Sequence, residues 1–83
     1  MTYSIRVTET AKKQLSKIDK QTARRIDSKL LEIASDPFAH VIRLVGLELY
    51  KMRVGDYRVL MSIQKDKLVV MVVEVGHRRN VYK

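Results

Sequence analysis

The sequence predicts a small α+β domain: an N-terminal strand, a two-helix antiparallel hairpin, then a three-stranded antiparallel meander. Three observations predict it. Apolar residues recur at helical spacing through the first half of the chain. After Leu44 they alternate instead, and a Gly55-Asp56 pair divides the alternating stretch as a hairpin turn does. The 83 residues suffice for one domain, spanning 1–83, and leave no room for a second.

Each element follows in order. Tyr3, Ile5 and Val7 alternate with Thr2, Ser4 and Arg6, the pattern of a half-buried strand. Thr8 is a suitable N-cap, with Glu9 in the first turn that follows it. Ala11, Leu15 and Ile18 then mark a short first helix. Asp19 caps a second, whose stripe is Ile26, Leu30 and Ile33, widened by Ala23, Leu31 and Ala34. Asp36 precedes Pro37 and is biased away from helix, so the helix ends before it. Tyr50, Met52 and Val54 form the inward parity of the next strand, and Tyr57, Val59, Met61 and Ile63 that of the one after. Lys65-Asp66 is a weaker turn signal. Leu68 to Val75 is apolar at both parities apart from Glu74, as expected of a strand covered on both faces.

Composition narrows the function classes. Seventeen Lys and Arg against nine Asp and Glu give a net charge of +8. Such a field draws polyanions, so nucleic acid or an acidic protein is the expected partner, with an anionic membrane surface left open. With no cysteine, disulfides and thiolate metal sites are excluded. No Gly-rich phosphate loop, metal-ligand cluster or Ser/His/Asp pattern is present, and no cofactor or metal is expected. Met1 to Val7 lacks the apolar core of a signal peptide, and no stretch approaches the length of a spanning helix. A cytoplasmic protein is the expectation.

The hairpin makes the charge specific. If Gly55 and Asp56 form a two-residue loop, Val54 faces Tyr57, Arg53 faces Arg58 and Met52 faces Val59. Arg53, Arg58 and Lys51 then share one face, with no carboxylate at matching parity on those two strands. Like charges directly opposite, with Cβ atoms about 5 Å apart, are destabilising. The arrangement makes sense if an anion joins them, and phosphate fits the planar donor fork of arginine. The alternative is that the side chains splay into water and screening removes the penalty. In the tail, Arg78 and Arg79 stand near Tyr82, a combination suited to an unstacked base. His77 is a candidate acid or base; His40 lies in a loop and receives no role.

Arg43-Leu44-Val45-Gly46, Leu49 to Leu60 around Arg53-Val54-Gly55-Asp56-Tyr57-Arg58, and Val75-Gly76-His77-Arg78 with Val81-Tyr82 resemble the RelE branch of the RelE/ParE toxin superfamily. The resemblance spans nearly the whole chain. It implies the toxin of a type II toxin–antitoxin system, a metal-independent endoribonuclease that cuts messenger RNA in the ribosomal decoding site. Attack by the ribose 2′-OH on the adjacent phosphate would leave a cyclic phosphate and a 5′-OH. By the same resemblance Lys51 and Arg53 contact the reacting phosphate and ribose, and Arg58 stabilises phosphate charge. Arg78 protonates the leaving oxygen and Tyr82 stacks on a base; from the basic tail itself, Arg79 and His77 are expected to add RNA contacts. A RelB-like antitoxin, the ribosome and messenger RNA are the implied partners. One position departs from well-studied bacterial members, which carry lysine where Arg53 stands. Arginine stays protonated, with a pKa above about 12, and is a poor base. Either Lys51 takes that role or Arg53 only stabilises charge, with His77 a further candidate. The competing readings are a ParE-type inhibitor of DNA gyrase and a non-catalytic nucleic-acid-binding domain.

Overall fold

The structure, a computed structural model, describes residues 2–77. The first strand is β1 (Ser4–Val7), followed by helices α1 (Glu9–Ser16) and α2 (Lys20–Ile33). Thr8 caps α1, its hydroxyl accepting from the Ala11 N–H at 3.2 Å. The Asp19 carboxylate does the same for α2, accepting from the Thr22 N–H at 3.0 Å. That hydrogen bond to the charged form holds the Asp19 carboxyl below its ordinary range. Pro37 opens a 3-10 turn, Pro37–Ala39, just beyond α2. Strands β2 (Ile42–Arg43), β3 (Tyr50–Val54), β4 (Tyr57–Gln64) and β5 (Val69–His77) complete the chain.

The sheet runs β1-β5-β4-β3-β2. The predicted antiparallel meander is β3-β4-β5, and β1 closes one edge parallel to β5. The sheet therefore has five strands where the sequence predicts four. The extra one, β2, pairs Ile42 with Lys51 and Arg43 with Tyr50, and two residues are too few to show a period.

Ala11, Ile26, Leu30 and Ile33 from the helices meet Met52, Val54, Val59, Met61, Val70, Val72 and Val75 on one face of the sheet. Burying each larger side chain contributes about 1.5–3 kcal/mol. Leu31, expected to widen the helix stripe, instead points outward and is 74% exposed. Leu30 already occupies the core-facing position of that turn.

Strand β5 is not covered on both faces as its composition suggests. Val70, Val72 and Val75 are buried, whereas Val69, Met71 and Val73 are only half-buried. Much of the two-parity pattern comes from a β-bulge. Leu60 pairs with Glu74 but the next residue, Met61, pairs with Val72, leaving Val73 as the extra residue. Helix α1 holds the bulge: the Thr8 hydroxyl donates to the Val73 carbonyl at 3.3 Å, and the Val75 N–H donates to the Gln14 side chain at 2.6 Å. The bulge switches the strand's phase, so Val75 turns into the core and Glu74 to the opposite face.

Candidate nucleic-acid interface

The face of the sheet away from the helices carries the cations. Strands β3 and β4 pair in the predicted register, with Val54 on Tyr57, Arg53 on Arg58 and Met52 on Val59. The pairing of Lys51 with Leu60 brings Lys51 to the same face as both arginines. The turn that fixes this register has Gly55 at φ 57°, a conformation that a Cβ disfavours. Lys51 and Arg58 are half-buried and Arg53 is exposed.

Together they line a cleft of about 260 Å³ with Ile42 and His40. Ile42 enters through its pairing with Lys51. Continuing that register brings His40 level with Arg53. Leu60, only 8% exposed, lies on the same face between Lys51 and Glu74, its two cross-strand neighbours. Among the described residues the face thus combines fixed positive charge, the apolar Ile42, the imidazole of His40 and the carboxylate of Glu74. Such a surface suits a nucleotide, whose phosphate seeks the cations and whose base or sugar seeks the apolar side chain.

Sequence reasoning missed His40 and Glu74. His40 stands in a turn, where no alternation assigns a face. Glu74 was visible as a lone charge in an apolar strand, but only the bulge carries it to the cationic side. His77 does not join the cluster. It pairs with Tyr57 on the other parity, their rings edge-to-face at 5.4 Å. Arg78, Arg79 and Tyr82 lie outside the described residues. A second, larger cleft of about 510 Å³ lies beside the hairpin turn, where Arg24, Arg25, Lys29 and Glu32 of α2 meet Arg53 and Gly55. Among the described residues no cluster of three potential metal ligands occurs, and no helix is long and apolar enough to cross a membrane.

Comparison with known proteins agrees with this architecture. Residues 5–82 match the model of the ParE toxin of the type II toxin–antitoxin system parDE. The mRNA interferase toxin RelE of Escherichia coli K12 is 30% identical over 81 residues, covering 94% of this chain and 85% of that protein. Among solved structures, RelE–RelB from Pyrococcus horikoshii superposes with a TM-score of 0.83 at 27% identity, covering 98% of this chain and 100% of the matched one. The intact E. coli RelBE toxin–antitoxin complex gives 0.78 at 28%, covering 90% and 95%. Fold, register and relatives converge: the chain belongs to the ParE toxin family of type II toxin–antitoxin systems, as a RelE-like toxin.

Proposed function

We propose that the protein is a ribosome-dependent endoribonuclease that cleaves messenger RNA and so arrests translation. The observation that carries this reading is the convergence of Lys51, Arg53 and Arg58 on one sheet face. Three adjacent cations repel one another, whereas an anionic substrate attracts all three. The relative named mRNA interferase toxin RelE supports messenger RNA as that substrate.

In the proposed reaction the ribose 2′-OH attacks the neighbouring phosphorus. The O2′–P bond forms, the P–O5′ bond breaks, and the products are a 2′,3′-cyclic phosphate and a 5′-OH. Lys51, Arg53 and Arg58 hold the phosphoryl oxygens while negative charge builds on them. Preorganised charge of this kind is usually the largest catalytic contribution. Arg78 protonates the leaving oxygen and Tyr82 stacks on a base, both assigned from sequence resemblance. Arg79 and His77 are proposed as RNA contacts, with His77 at the end of the sheet rather than in the cleft. No metal takes part in this scheme. The ribosome supplies the alignment of the RNA, which a shallow cleft on an 83-residue protein provides only in part.

An antitoxin of the RelB kind is the proposed protein partner, since the related RelE structures from P. horikoshii and E. coli are complexes with RelB. The test is cleavage by purified protein of a message bound to ribosomes. Cyclic phosphate and 5′-OH ends, formed by the parent and at least about a hundredfold more slowly by Arg58→Ala, are expected. The matched family model is named for ParE, so gyrase poisoning is the second reading. Intact message together with trapped gyrase–DNA breaks would establish it instead.

A further inference from the structure

The proposed cleavage needs a group that takes the ribose proton, and the cations of the face are poorly suited to it. Arginine stays protonated, with a pKa above about 12, and a lysine ammonium ordinarily titrates near about 10.4. Proton transfer is most effective when the base titrates near the working pH, as an imidazole does. The cleft has one imidazole in its wall, that of His40, beside Lys51, Arg53 and Arg58.

The backbone around His40 is fixed on both sides. Its N–H donates to the carbonyl of buried Pro37 at 3.2 Å. Val41 packs against the core and Ile42 pairs with Lys51. The side chain itself is exposed, and among the described residues no side-chain hydrogen bond engages its ring. Both ring nitrogens are therefore open to a ligand. A residue with an anchored backbone, an uncommitted imidazole and a place in the cationic cleft has the attributes of an acid–base group.

We propose that His40 is the general base of the cleavage, an inference that rests on the reading of the chain as a message-cleaving toxin. One ring nitrogen accepts the 2′-OH proton as O2′ bonds to phosphorus. The P–O5′ electron pair leaves with O5′, which takes its proton from Arg78. The imidazolium then returns its proton to water, and Arg78 regains one. The charged groups that line the cleft with the imidazole are Lys51 and Arg53 on β3 and Arg58 on β4; the nearest carboxylate along the chain is Asp36, before the Pro37 turn, and Glu74 stands on the same face two strands beyond β3. Glu74 is the competing base, being the carboxylate on the same face among the described residues.

Single-turnover cleavage of message on programmed ribosomes, followed from about pH 5 to about pH 8.5 across the imidazole range, tests the assignment. The parent rate is expected to rise through that range. His40→Gln should be slower by about a hundredfold and lose the rise, with an unchanged melting curve. His40→Ala should regain rate when imidazole is added. Cleavage by His40→Gln at the parent rate, or a slower rate that keeps the same pH rise, would overturn the proposal. So would loss of the rise in Glu74→Gln with its retention in His40→Gln. If the parent itself leaves the message intact, the functional reading fails, which is a separate outcome from failure of the His40 assignment.

Discussion

Replacing Arg53 with glutamine should stabilise the isolated protein while removing its activity. Arg53 and Arg58 are direct cross-strand partners, so their Cβ atoms stand about 5 Å apart. Two guanidinium charges splayed to about 6 Å repel by about 0.7 kcal/mol at the dielectric constant of water. Removing one should raise the melting temperature by about 3–5 °C in a domain of this size. The gain is electrostatic, so it should vanish near about 1 M salt, where the Debye length is only about 3 Å. Loss of a charge-stabilising donor should meanwhile slow cleavage by about a hundredfold or more. Thermal melts of parent and Arg53→Gln at low and high salt, with cleavage measured on the same preparations, give both quantities. A variant less stable than the parent at low salt would refute the reasoning, because Arg53 would then contribute net attraction rather than net repulsion.

Three further perturbations probe what positions the face. Gly55→Ala should cost about 1–2 kcal/mol in a urea titration, since φ is 57° there, whereas Gly55→Asn should cost less. The nearest atom to an added Cβ is Arg25 Nη1 at 3.6 Å, an ordinary contact, so the penalty is conformational rather than steric. Gln14→Leu leaves the Val75 N–H without its partner at the bulge and should destabilise the fold by about 1–3 kcal/mol, with faster amide exchange at Val75. The Asp19 cap should give an acid-sensitive contribution. Its folded-state pKa is lowered, so the stabilisation is complete above the ordinary carboxylate value near 3.8 and is lost as pH falls through the folded value. Asp19→Asn should retain a cap and remove that pH dependence in acid melts.

Sequence periodicity disclosed the parts of the molecule that repeat. The helix stripe of Ile26, Leu30 and Ile33 is buried as its spacing requires, and the caps Thr8 and Asp19 are used as such. The Gly55-Asp56 turn is enough to set the β3–β4 register, which is why Lys51, Arg53 and Arg58 can be assigned to one face from their positions along the chain. Leu31 misled because the last turn of α2 has room for only a narrow core stripe. What escaped is non-periodic. A two-residue strand such as β2 has no alternation to detect, and with it went the placement of His40. The bulge at Val73 depends on Thr8 and Gln14, distant in sequence, and it decides that Glu74 joins the cationic face. The same phase shift sets His77 against Tyr57 rather than among the cations.

Controlled expression of the parent and of Arg58→Ala, with transcript ends mapped across the cell's messages, tests the central claim most directly. A ribosome-dependent nuclease working through this face gives cuts within translated codons in the parent, dependent on translation and absent from the variant. Growth arrest by the parent with intact transcripts, or equal cutting by both proteins, would contradict it.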